Sequence, residues 1–261
     1  MNSLLDIQLF VVGLFVGILL FIEIGRRIGA RWKTQHMAAG GGGWGAVEGS
    51  MFALLGLLIA FTFSGAAARF DARRQLIISE ANALGTAYLR LDLLPADAQP
   101  KLRESFRKYL DLHFAITDPS ASEEAVKAAI ARVPALQHEI WSEAVAACSE
   151  TGAPHTTMML IPALNEAFDV ATTRLVMGSV HQPQIILNMV ALLALVCALL
   201  SGYDMSDGPR HSWIHTLCFA GILAATVYVI LDLEHPRLGV IRLDVADQAL
   251  VELRESMNTR K

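Results

Sequence analysis

The chain has 261 residues, of which 54% are hydrophobic and 18% charged, with a formal net charge of −4. A mean hydropathy of +0.44 is too high for an ordinary soluble domain, and the near-balanced charge gives no support to nucleic-acid binding. Three cysteines, Cys148, Cys197 and Cys218, lie far apart without metal-binding spacing, so they are expected as small reduced apolar side chains.

The hydrophobic excess sits in four blocks. Leu9 to Ile22 is an unbroken apolar run, and residues 4–24 form a first span with Asp6 and Glu23 near its ends. Residues 51–68 hold eighteen positions without a charge, residues 185–203 nineteen, and residues 212–231 twenty. At a rise of ~1.5 Å per residue, such blocks match a hydrocarbon core of roughly 30 Å. Lipid offers backbone groups no hydrogen bonds, so each block is expected as a helix. The expected fold class is an all-α integral membrane protein with four transmembrane helices. No basic stretch precedes the first block and no small-residue cleavage site follows it, so it is read as a retained anchor.

The spans pair into two hairpins around a polar region. The first hairpin, residues 1–68, turns between Gly25 and Gly49 through Arg26, Arg27, Arg31, Lys33 and four consecutive glycines, expected as flexible loop. The region 69–183, 115 residues long, reads as a cytoplasmic helical domain. Ile77, Ala81, Leu84, Tyr88 and Leu91 form one stripe on a helix ending near Pro95. Leu102, Phe106, Leu110 and Phe114 mark a second helix. Ser120 to Glu123 has capping-box spacing and opens a third, bent at Pro134 and broken at Thr151-Gly152-Ala153-Pro154. Leu164, Phe168, Ala171 and Leu175 mark a fourth. The second hairpin, residues 184–234, turns between Asp204 and His211. The tail, residues 235–261, passes through an extended-looking alternation from Gly239 to Asp244 into a short amphipathic helix around Leu250 and Leu253. Within about twenty residues of the spans, seven basic residues lie on the side of the termini against five on the other, which favours cytoplasmic termini.

The second span carries the pattern richest in implication. Gly56, Ala60, Ser64 and Ala68 recur every fourth residue, a ridge of small side chains that lets helices approach closely in lipid. Leu55, Ile59 and Phe63 recur one step around the helix. Either they pack within the chain, or they line a narrow apolar constriction around a symmetry axis. Arg69, Arg73 and Arg74 must lie at or beyond the membrane boundary, because ionisable groups are costly in hydrocarbon. They are candidates for contact with anions or lipid headgroups, or for pairing with Asp71 and Glu80. No helix breaker follows, so this span is expected to continue into the helical domain as one rod.

The stretches LLGLLIAFTFSGAAARFDARRQLIISEANALGTAYLRLDLLP and YVILDLEHPRLGVIRLD resemble the bacterial bestrophin-like family of small four-span membrane proteins. The resemblance extends over nearly the whole chain and implies a distant relation to bestrophins. Those are pentameric anion channels whose second span lines a neck with apolar residues at every fourth position. It implies a multi-pass protein of the bacterial inner (plasma) membrane, a homo-oligomer (a pentamer), and an inorganic anion such as chloride. The chain lacks a Trp-Trp pair after the second span and an acidic run in the tail, so calcium gating is not carried over.

Other groups are weaker candidates. His211 and His215 stand one turn apart and could hold a divalent metal, or could be an interfacial histidine and a turn. Glu80, Asp232, Glu234 and Arg237 are candidates for gating or interdomain pairing. Asn188 is expected in an interhelical hydrogen bond. No nucleophile stands near a base and no loop cradles phosphate, so neither an enzyme nor a cofactor is expected. Two functions compete, an oligomeric anion channel and a non-conducting scaffold or sensor whose helical domain docks a cytosolic partner. A proton-driven stator would share the layout, but spans three and four carry no central carboxylate.

Overall fold

The computed structural model describes residues 4–35, 44–118, 120–207 and 213–259, and every regular element among them is helical. Among the described residues, four helical segments are long and apolar enough to cross a membrane: Leu4–Trp32, Gly45–Leu93, Pro154–Asp204 and Trp213–Glu234. The chain divides into two compact units, one of residues 1–70 and 181–241, the other of residues 71–180 and 242–261. Residues 235–241, counted with the tail by sequence, group with the first unit.

In the first unit, α1 (Leu4–Gln35) runs well past the expected span end. Its basic segment stays helical because Glu23 is forked between Arg26 at 2.8 Å and Arg27 at 2.7 Å, pairs that lie one turn apart. The turn predicted from Gly25 to Gly49 is therefore helix at both ends, and its four glycines lie outside the described residues. Ile7, Leu14, Ile18 and Ile22 present one buried stripe on α1. They pack with Leu187, Val190, Ala194, Cys197 and Ala198 of α6 (Gln184–Asp204), and with Ala220, Val227 and Leu231 of α7 (Trp213–Glu234).

Glycines let α1 and α6 approach closely. A Cβ at Gly25 would sit 2.0 Å from the Leu199 carbonyl oxygen, and one at Gly202 would sit 2.0 Å from that of Ile22. Gly25 and Gly29 form a small-xxx-small pair on α1, the spacing that brings helix backbones together in lipid.

Helix α2 (Trp44–Arg90) is continuous over 47 residues, as the absence of a breaker predicts, and closes in a 3₁₀ turn, Leu91–Leu93, before Pro95. Its inward stripe in the first unit runs through Leu55, Thr62 and Ala66. Thr62 returns its hydroxyl to the Leu58 carbonyl at 2.6 Å, which satisfies it without a partner helix.

The second unit holds the rest of α2 with α3 (Gln99–Thr117), α4 (Glu123–Thr151), α5 (Pro154–Ser179) and α8 (Asp244–Thr259). Ile77, Leu84, Tyr88, Phe106, Leu110, Leu164 and Leu250 are buried, following the stripes read from the sequence, and Ile140 and Leu160 are buried with them. The cap of α4 is Ser122, which accepts from Ala125 N, whereas Ser120 bonds to Asp118; the capping-box spacing from Ser120 is not used. Gly152 ends α4 in a left-handed conformation, φ 58°, and Pro154 opens α5. Residues 239–244 form no strand. A helix of 16 residues follows, and Met257 O accepts from Tyr88 Oη at 3.3 Å and from Arg107 Nη2 at 3.0 Å.

Candidate functional site

A buried polar cluster of the first unit lies at the C-terminal end of α7. Asp232 is 2% exposed and Glu234 3% exposed, so each carboxylate must be compensated within the protein. Asp232 accepts the backbone N–H of Val240 at 3.0 Å and of Ile241 at 2.8 Å. The chain returns to meet it through a tight turn, with Leu238 N bonded to His235 O. Glu234 forms an ion pair with Arg69 of α2, whose Nε lies 2.7 Å away, and also accepts from Gln182 N at 3.3 Å. The run Asp232-Leu233-Glu234-His235-Pro236-Arg237-Leu238-Gly239 thus has a physical basis in this chain. Its first carboxylate caps a returning loop, its second anchors α2, and its glycine leaves space for the first.

Beside this cluster, His181, Gln182, Gln184, Leu187, Glu234 and Leu238 are among the residues lining a cavity of about 420 Å³. The His181 and His235 rings stack with centroids 5.0 Å apart. Burial holds the His235 imidazole below its usual range, and the neighbouring His181 acts in the same direction.

The apolar ladder of α2 is not uniformly exposed. Leu55 is 3% exposed within the chain's own apolar cluster, Ile59 is partly buried, and Phe63 is 43% exposed. The small ridge lies on the outward side, with Gly56, Ala60, Ser64 and Ala68 all exposed. Of the three arginines, Arg69 is bound to Glu234. Arg73 is 6% exposed and donates to the Val180 carbonyl at 2.7 Å, while Arg74 is exposed and 3.3 Å from Asp71.

Glu80 pairs with neither Arg69 nor Arg73. It is 1% exposed and meets Arg174 and His113. Sequence reading missed both partners, although each sits inside an apolar stripe: His113 lies three residues beyond Leu110, and Arg174 three beyond Ala171. Arg237 is half-buried beside Pro236, and Asn188 is exposed, bonded along its own helix to Gln184 at 3.4 Å. His215 is exposed on the first turn of α7, and His211 lies outside the described residues. Among the described residues, no group of three or more metal-ligating side chains forms a cation site. Cys148, Cys197 and Cys218 are free thiols, and Cys218 is exposed.

Four apolar helices, an uninterrupted second helix and a carboxylate-anchored α7 terminus define an all-α multi-pass membrane protein. A family profile described as the Bestrophin-like domain matches residues 44–247, so the chain belongs to the bestrophin-like family. Solved structures described as a bacterial bestrophin homologue from Klebsiella pneumoniae share the fold. One point variant superposes with a TM-score of 0.74 at 15% identity, over 99% of this chain and 98% of that one. A second variant gives 0.72 at 16% identity, and a form phased on zinc gives 0.68 at 17%; each match covers 96% of this chain and 99% of the other. A comparison with curated proteins yields no match.

Proposed function

We propose that this protein is an oligomeric, anion-selective ion channel of the bacterial inner membrane, with its termini in the cytoplasm and α2 of each copy facing a shared axis. The observation that carries this reading is the outward face of α2. Leu57, Phe61 and Phe63 are 51%, 68% and 43% exposed, and they flank an exposed ridge of small residues that has no use against lipid alone. Membership of the bestrophin-like family supports the same arrangement. Phe63 forms the narrowest apolar point, Ile59 its edge, and Leu55 backs the helix from within the chain. Arg74 meets permeating anions, because Arg69 and Arg73 are engaged inside their own units.

The test is chloride conductance of the purified protein in planar bilayers. Phe63→Ala should alter the current, and Arg74→Gln should weaken the preference for chloride over cations. Silent bilayers at all voltages, from protein shown to be folded and oligomeric, would reject the channel.

A further inference from the structure

A buried ionisable cluster lies wholly within the second unit. Glu80 of α2, His113 of α3 and Arg174 of α5 are 1%, 5% and 9% exposed. His113 Nδ1 is 2.8 Å from Arg174 Nη2 and 3.3 Å from Glu80 Oε1, while Arg174 Nε is 2.5 Å from Glu80 Oε2. One imidazole nitrogen therefore faces a group that only donates and a group that, when ionised, only accepts. With its lone pair, Nδ1 accepts from Arg174. With a proton, it donates to Glu80. It cannot do both at once.

We propose that His113 is the proton-binding site of a switch within the helical unit. Neutral, it ties α3 to α5 through Arg174; protonated, it ties α3 to α2 through Glu80 and sets its own charge against the guanidinium. The only chemical change is a solvent proton taken onto Nδ1, which moves the cluster from zero to one net positive charge. The Glu80 carboxylate favours that proton, while Arg174 and burial oppose it. Of the three side chains, the imidazole is the one that can both accept and donate at Nδ1.

Tyr109, Gln137, Phe168 and Phe114 nearby do not compete for the proton. Tyr109, one turn earlier on α3, is pushed up to about 12 by burial and by the Glu80 charge, so it stays neutral. From α4, Gln137 reaches the Tyr109 hydroxyl at 3.1 Å without a charge. From α5, the Phe168 ring covers Tyr109 at 5.9 Å, and on α3 itself the Phe114 ring stands edge-on to His113. Acidification therefore loosens the α3–α5 contact and leaves the α2–α5 ion pair in place.

The experiment is hydrogen exchange of the full chain in nanodiscs at about pH 5.5 and about pH 7.5, corrected for intrinsic rates. Wild-type α5 amides should lose protection on the order of tenfold at the lower pH, the equivalent of about one pKa unit of linkage. His113→Gln retains an acceptor for Arg174 but cannot take the proton, so its α5 protection should be the same at both values. Wild-type protection that is independent of pH, or an unchanged pH dependence in His113→Gln, overturns the switch. Should that variant fail to fold, the ¹⁵N resonance of wild-type His113 decides. Nδ1 bare at the higher pH and protonated at the lower supports the proposal, and the same state at both overturns it.

Discussion

The carboxylate of Asp232 occupies the space that a side chain at Gly239 would need: a Cβ there would lie 1.6 Å from Asp232 Oδ1. No small adjustment relieves that overlap, because the carboxylate is held by two backbone N–H groups of the following residues. Gly239→Ala is expected to displace the loop and expose the end of α7. Asp232→Ala should cost a similar amount by leaving two donors unpaired, about 2 kcal/mol. In a thermal melt of the detergent-solubilised protein, either change should lower Tm by about 4–8 °C. An unchanged Tm for Gly239→Ala would show that the loop is not held this way.

Arg69 and Glu234 form the principal ion pair of the first unit, with side chains 25% and 4% exposed. Removing one member of a buried pair strands the other charge, at a cost of about 3–5 kcal/mol. Arg69→Gln should therefore destabilise strongly. The double variant Arg69→Gln/Glu234→Gln should recover part of the loss, because no charge is then left behind. A double-mutant cycle measures this coupling. Simple additivity of the two single changes would contradict the pairing.

The fold was legible in the sequence where periodicity or composition carries it. The four apolar blocks, the unbroken α2 and the α4–α5 break at Gly152-Pro154 each follow from a local rule. Long-range compensation of charge was not legible. Glu80, His113 and Arg174 each fall within an apolar stripe, which marks them as inward-facing and in need of partners, yet spacing on separate helices cannot say which partners they find. Arg69 and Arg73 show the same limit. Their basic character is plain, but only the fold places one against Glu234 and the other against the Val180 carbonyl. The small ridge of α2 is the more regular pattern, whereas a close backbone approach between α1 and α6 is made by Gly25 on α1, where the pattern is shorter.

That contact leads to a paired comparison. A Cβ at Gly25 would meet backbone atoms of α6 at 2.0 Å, whereas one at Gly13 finds open space within 4 Å. Gly25→Ala must push α1 away from α6 and should destabilise by about 1–3 kcal/mol. Gly13→Ala relieves the low helix propensity of glycine and should be neutral or stabilising by up to about 1 kcal/mol. Equal melting behaviour of the two variants would remove the close approach as a source of stability.

Tyr109 offers a spectroscopic test of burial in the second unit. Its hydroxyl is pushed up to about 12 by burial first and by the Glu80 charge second. The unfolded chain releases this proton from about pH 10, so between about pH 10 and about pH 12 the folded state binds more protons. Stability from this group is therefore fully present below about pH 10 and falls as pH rises through that window. Ultraviolet titration should show Tyr109 ionising later than an exposed tyrosine, with Tyr109→Phe as the reference that deletes its signal. In Glu80→Gln, the remaining shift should shrink but persist, because burial is the larger cause. Ionisation of wild-type Tyr109 near pH ~10 would mean that water reaches the cluster and that Glu80 is not held as described.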